Sequence, residues 1–262
     1  MDKKTVSAVL AIWAVLAAVI GVSSMATPAH AASGHHRTVT PCVTSAQWGL
    51  CFPANGAQTY QDENNVWNAG EAPGWSQTMT ATKDTQFSID ANVTASDGQS
   101  VISYPEVNYN FTAPKPLSQY GSIVGQWHAG LPNPNPGDRY EMAYDLWLDA
   151  GPGQAGSKEV MVWTQNDGQY PGGTDIGTWT DPRFGNQYEV WENSTTVWFV
   201  CKVGSHTGSV DIKSALQYAI LTNAPWSGDQ GNVFSFDYGP EIVTTTGHLE
   251  TFYVYGVNYI FS

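Results

Sequence analysis

The chain has 262 residues, with 23 Asp and Glu against 10 Lys and Arg, a formal net charge of −13. So acidic a balance argues against a nucleic-acid or anionic-membrane partner, since both need clustered Lys and Arg. Eleven Trp, thirteen Tyr and nine Phe among few charged residues are unusual for a helical protein and suit strands and carbohydrate surfaces.

The first thirty-odd residues read as a secretory signal peptide and not as part of the fold. Lys3 and Lys4 form a basic start, Val6 to Val22 is almost wholly apolar, and Ala29-His30-Ala31 is a small-residue cleavage site. Residues 1–31 are therefore expected to be removed, leaving a secreted chain from Ala32. No other run approaches the ~18 apolar residues of a spanning helix, so no membrane contact is expected after cleavage. Residues 32–40, with His35 and His36, read as a flexible lead, and 41–262 as one domain. Export permits disulfides. Cys42 and Cys51 lie close together and form the expected pair, although sequence alone does not fix connectivity. Cys201, inside the apolar run Val197-Trp198-Phe199-Val200, is expected as a buried free thiol. No Cys/His spacing resembles a metal site.

Beyond the lead, short apolar–polar alternations are separated by turns. Phe87, Ile89, Ala91 and Val93 fall on one face of a strand over 86–93. Further strands are expected over 122–127, 140–148, 158–164, 187–191, 196–203, 233–236 and 248–261, with a hairpin around Glu192-Asn193-Ser194. One segment differs: Ile212, Ala215, Leu216, Ala219 and Ile220 recur at helical spacing, with Asp211 near the start and Pro225 beyond the end. Gly/Pro-rich stretches at 131–137, 151–156 and 170–173 read as loops. The pattern predicts an all-β sandwich or barrel with one packed helix.

The chemistry lies in carboxylates set among aromatics. In Lys158-Glu159-Val160-Met161-Val162-Trp163 a strand puts Glu159, Met161 and Trp163 on one face, a poor core but a good sugar-cleft lining. A second carboxylate, Glu241, lies in Tyr238-Gly239-Pro240-Glu241-Ile242. Retaining glycoside hydrolysis needs two carboxyl groups roughly 5–5.5 Å apart, and neighbouring strands spaced about 4.8 Å apart supply that. One attacks the anomeric carbon; the other, its pKa raised by burial or by the first, protonates the leaving oxygen. Asp145, in Ala143-Tyr144-Asp145-Leu146-Trp147, is the candidate helper carboxyl, with Glu106 its rival. Trp147 and Trp198 are assigned to core, and His128, His206 and His248 to surface or supporting roles. No Gly-x-Ser-x-Gly elbow occurs.

Tyr144-Asp145-Leu146-Trp147, Glu159-Val160-Met161-Val162-Trp163 and Gly239-Pro240-Glu241-Ile242, in that order, resemble the successive signatures of glycoside hydrolase family 12, secreted endo-β-1,4-glucanases and xyloglucanases. Asn64-Asn65-Val66-Trp67-Asn68 resembles that family's N-terminal substrate-binding element. The resemblance implies a β-jelly roll of two curved antiparallel sheets with one packed helix, and a retaining mechanism without metal or other cofactor. It implies Glu159 as nucleophile, Glu241 as acid/base, Asp145 as helper, and Trp67, Met161 and Trp163 as subsite residues. Asn65 and Pro171 are assigned from local context, and Trp48 is a further candidate platform. The chain departs from the pattern at Ile242-Val243-Thr244, where an aromatic residue is usual, in the polar loop Thr164 to Pro171, and in the acids Glu189 and Glu192.

The expected activity is that of a monomeric endo-β-1,4-glucanase acting on internal bonds of a β-glucan. The alternatives are a xyloglucan-specific endoglucanase and, from another class, a non-catalytic carbohydrate-binding lectin on the same sandwich, which would not need both carboxylates.

Overall fold

The computed structural model describes residues 40–52, 60–226 and 231–262. The expected signal peptide and nearly all of the lead, His35 and His36 included, lie outside these residues. Two sheets face each other. With strands numbered along the chain, the smaller sheet runs β1 (Cys42–Thr44), β4 (Ser76–Lys83), β5 (Gln86–Asn92), β15 (Glu250–Phe261), β7 (Ile123–Gly130), β13 (Thr207–Asp211). The larger runs β10 (Thr174–Thr180), β11 (Gln187–Glu192), β12 (Thr196–Cys201), β9 (Lys158–Asp167), β8 (Arg139–Leu148), β14 (Asn232–Thr244), β6 (Glu106–Pro116), β3 (Tyr60–Asn65), β2 (Trp48–Cys51). The architecture is the jelly roll that the alternation and the family signatures predict.

Period-2 alternation sorts each central strand of the larger sheet into two faces. In β8, Tyr140, Met142, Tyr144, Leu146 and Leu148 are fully buried in the core between the sheets, so Glu141, Ala143, Asp145 and Trp147 point to the opposite face. In β9, Val160 and Val162 enter the core; in β14, Phe236, Tyr238 and Ile242 do. Burying each such side chain contributes about 1.5–3 kcal/mol, which fixes the register. A one-residue slip would put every charged residue of the opposite face into the core.

One pairing departs from the expected antiparallel sheets: β12 runs parallel to β9, with Thr196 opposite Glu159 and Trp198 opposite Met161. The hairpin β11–β12 is as predicted. The direction follows from residues 168–173, which carry the chain back toward the end of the sheet where β9 began, so that Thr174 opens β10 opposite Glu192.

β14 is longer than the sequence pattern shows, because Gly239-Pro240 reads as a turn but lies within the strand. The pairing with β6 ends at Tyr238 opposite Val107. Beyond it the Ile242 N–H donates to the Ser103 carbonyl at 2.9 Å. Pro240, two residues earlier, turns its donor-less nitrogen to the same side, where no β6 strand remains to need it. Gly239 is required there: a Cβ would stand 2.0 Å from the Pro105 carbonyl oxygen.

The helix α1 spans Ile212–Thr222. Asp211 caps it, accepting from Ser214 N at 3.1 Å and Ser214 Oγ at 2.8 Å. All five predicted apolar positions are buried. A Cβ on Gly125 of β7 would stand 2.8 Å from Ile212 Cδ1, so a glycine lets the helix seat against that sheet. Cys42 and Cys51 form a disulfide, which ties β1 of one sheet to β2 of the other. Cys201 is free, as expected, but half-buried instead of buried.

Candidate active site

The outer face of the larger sheet carries a cleft of about 620 Å³, lined by Glu159 from β9, Asp145 and Trp147 from β8, Ser235, Asp237 and Glu241 from β14, Glu106, Asn108 and Asn110 from β6, and Glu63 and Asn65 from β3. Trp48 and Trp67 stand at its margin, 50% and 53% exposed. None of the lining residues is Lys or Arg.

Strand register assembles this set. Across β8–β9, Glu159 stands opposite Trp147 and Met161 opposite Asp145. Across β8–β14, Trp147 stands opposite Ser235, Asp145 opposite Asp237, and Glu141 opposite Glu241. Asp237 is opposite Asn108 of β6, whose Nδ2 donates to it, and Glu106 is opposite Glu63 of β3. The two glutamates singled out in the sequence therefore do not share a row. Glu241 lies further along β14 than Ser235, the residue level with Glu159, and their side chains converge within the cleft.

So many carboxyl groups in one desolvated site cannot all ionise. Burial, then the charge of Glu241, pushes Glu159 up to about 7, opposed by hydrogen bonds from Thr196 and Asp145. Thr196 Oγ1 donates to Glu159 Oε2 at 2.8 Å. Asp145, 5% exposed, is raised well above the usual carboxylate range by burial and by Glu159, so it is the neutral partner that donates to an ionised Glu159. Burial also raises Glu241, against a lowering influence of Glu141. Glu106 is held well up by burial, then by Asp237 and Glu63; Asp237 by burial, then by Glu63.

Three expected subsite residues do not line the cleft. Met161 and Trp163 share Glu159's face but are 3% and 1% exposed, packed with Ala143 and Val200 against Trp191 and Trp198. The loop 168–173 closes on the edge of this cluster: a Cβ on Gly172 would stand 3.0 Å from Trp198 Cη2. Pro171, in the same loop, is half-buried. Trp198 joins this second apolar cluster and not the main core, and Trp147, also expected in core, is half-buried in the cleft wall.

Sequence reading missed Asp237, Glu63, Asn108 and Asn110 as lining residues. Asp237 was within reach, since it shares Glu241's face once the strand is carried through Gly239-Pro240. Trp147 likewise follows Asp145 by two positions. Asn108 and Asn110 alternate with the apolar Val107, Tyr109 and Phe111 on β6, a period-2 signal that could have found them. Glu63 sits on β3, whose buried positions are the polar Asp62 and Asn64.

A jelly roll whose outer face holds a carboxylate-rich, tryptophan-edged cleft is the frame of a polysaccharide-cleaving enzyme. The family model for glycosyl hydrolase family 12 matches residues 58–258, and the chain belongs to that family. It is a glycoside hydrolase whose substrate is a glycan. Among curated proteins it is 25% identical to endoglucanase S of Pectobacterium parmentieri, over 74% of this chain and 80% of that protein. Among solved structures, endoglucanase 3 of Trichoderma harzianum superposes with a TM-score of 0.70 at 20% identity, covering 85% of this chain and 98% of that one. A family 12 xyloglucanase from Bacillus licheniformis superposes with a TM-score of 0.69 at 18% identity, covering 84% and 100%. At these identities the structural likeness establishes the fold.

Proposed function

We propose that this protein is an endo-acting β-1,4-glucanase that cleaves internal bonds of a β-glucan by retaining double displacement. The observation that carries the reading is the convergence of Glu159, Asp145 and Glu241 in one cleft with Trp48, Trp67 and Trp147 along it. Family 12 membership supports retention, and the named activity of the curated relative supports the endoglucanase class.

In this reading Glu159 attacks the anomeric carbon. Thr196 Oγ1 and a protonated Asp145 hold its charge. Glu241 gives its proton to the departing glycosidic oxygen, then takes one from the water that releases the glycosyl-enzyme. The indoles of Trp48, Trp67 and Trp147 offer flat apolar faces to the C–H sides of pyranose rings. Asn65 and Asn108 supply polar contacts nearby. Met161, Trp163 and Pro171 act from behind and beside Glu159, as support for its strand and cover for its face. The chain works as a monomer and is exported; the Cys42–Cys51 bridge supports an oxidising compartment.

The test is reducing-sugar release from carboxymethylcellulose, barley β-glucan and xyloglucan, with Glu159→Gln alongside. Release in the wild type that the substitution abolishes, with folding intact, supports the reading and ranks the substrates. Preference for xyloglucan above the unbranched chains would narrow it to a xyloglucanase. Binding without product on all three would replace it with a lectin.

A further inference from the structure

Glu141 has no part in the mechanism so far, yet it is the residue directly opposite Glu241 across the β8–β14 ladder. Cross-strand partners share a face, with Cβ atoms about 4.5–5.5 Å apart. Glu241 is half-buried in the cleft, whereas Glu141 is 0% exposed and does not line it. Apart from its contact with Glu241, neither Glu141 carboxyl oxygen has a hydrogen-bond partner among the described residues. Arg139, on the same strand, directs its guanidinium toward Gly98, where a Cβ would lie 3.5 Å from Nη2. The residue across β8–β9 is the uncharged Asn166. The charged groups that act on Glu141 are Glu241 from β14 and Asp145 from its own strand, both acidic.

A carboxylate sealed from water without cation or donor is stable only in its neutral form. A neutral carboxyl has one O–H to donate, and the acceptor in reach is Glu241. We propose that Glu141 is a positioning residue that stays protonated through the cycle and donates a hydrogen bond to the carboxylate Glu241 becomes after giving up its proton. The inference rests on Glu241 being the acid/base. It assigns Glu141 a task at one step. When the Glu241 O–H bond breaks and its proton passes to the leaving oxygen, the negative charge left on Glu241 is held by the Glu141 O–H. In the second step Glu241 takes a proton from water and that charge disappears. Glu141 itself neither gains nor loses a proton. Without it, burial alone would leave Glu241 a weaker acid. The direction agrees with Glu141's lowering influence on Glu241, and with the strong upward displacement of Glu141 by burial and by Glu241.

The experiment is the pH profile of kcat/KM on barley β-glucan for wild type, Glu141→Leu and Glu141→Gln. Leucine removes the donor; glutamine keeps an N–H donor and the neutral state. Glu141→Leu should lower kcat about tenfold or more and move the basic limb up by about one pH unit. Glu141→Gln should restore most of kcat and return the limb to its wild-type position. A basic limb that moves down in Glu141→Gln would overturn the proposal, because it would show Glu141 ionised in the resting enzyme. So would an unmoved limb in a folded Glu141→Leu. Should the leucine variant fail to fold, carboxyl infrared spectra of wild type and Glu141→Gln at neutral pH decide the matter. Loss of one protonated-carboxyl band in the glutamine variant supports the proposal; no loss refutes it. Glu241→Gln, assayed on β-glucan and on an aryl glycoside with a good leaving group, separates the two readings. Equal loss on both substrates would remove Glu241 as acid and this inference with it. Loss on β-glucan alone leaves Glu141 to be judged by its own variants.

Discussion

The outer face of β9 carries two unlike regions. At Glu159 it opens into a carboxylate-lined cleft; at Met161 and Trp163, the next positions on the same face, it is sealed by Val200, Trp191 and Trp198, with Gly172 of the 168–173 loop against Trp198. Strand alternation gives all three side chains one direction, and nothing in it distinguishes wet from dry. The difference is made by large side chains from β11 and β12 that pack on one part of the face and leave the other open. Within the open region, burial raises Glu159 and Asp145, and the neighbouring carboxyl groups add to it.

Four changes break or sharpen that contrast. The largest effect is expected in the open region, where Glu159→Gln should lower kcat/KM on β-glucan on the order of 10⁴-fold or more with melting little altered. In the sealed region Trp163→Ala should act on stability, costing about 3–5 kcal/mol in denaturant unfolding, because it empties a packed site. If Trp163 were instead a subsite platform, that variant would raise KM and leave stability unchanged. Trp67→Ala, at an exposed margin, should do the reverse, raising KM about tenfold with kcat and stability nearly unchanged.

The smallest effect concerns protons. Glu159, ordinarily 4.5, is held up to about 7, and Asp62, ordinarily 3.8, up to about 8 by burial and then Asp84. A group whose folded pKa is raised supports stability fully below its unfolded value and loses that support as pH rises through the folded one. The protein should therefore melt highest near pH 4 and lower progressively toward pH 8. Asp97, lowered to about 2 by its hydrogen bonds with Ser100, has the opposite sign, but its effect falls below pH 4. Asp62 is 0% exposed and its oxygens have no partner among the described residues. Asp62→Asn should accordingly raise stability by roughly 2 kcal/mol at pH 8 and leave it nearly unchanged at pH 4. Calorimetry at both pH values checks this; an equal gain at each would show that the folded Asp62 pKa is not displaced from its unfolded value.

Strands with apolar alternation were legible: β5, β7, β8, β9, β11, β12 and β15 all fall on expected segments. Of those missed, β6 has a clear inward alternation of Val107, Tyr109 and Phe111; others have polar residues facing inward or little apolar content. β3, Tyr60-Gln61-Asp62-Glu63-Asn64-Asn65, buries Asp62 and Asn64, so its core face does not look like one. β13 and β10 are short on apolar residues, and β14 was cut short by Gly239-Pro240, an interruption that is harmless only because β6 has already ended beside it.

The sequence by itself determined the sandwich, the helix, the Cys42–Cys51 proximity and the direction in which Glu159, Asp145 and Glu241 point. These follow from period, spacing and local chemistry, which are properties of neighbours along the chain. The tertiary structure alone decided which positions on that face stay open, which rows the strands form, and that Glu141 meets Glu241. Those depend on register between strands distant in sequence and on which side chains that register brings onto the face. No local pattern encodes either, because the free energy that selects them comes from burying the opposite face of the same strands.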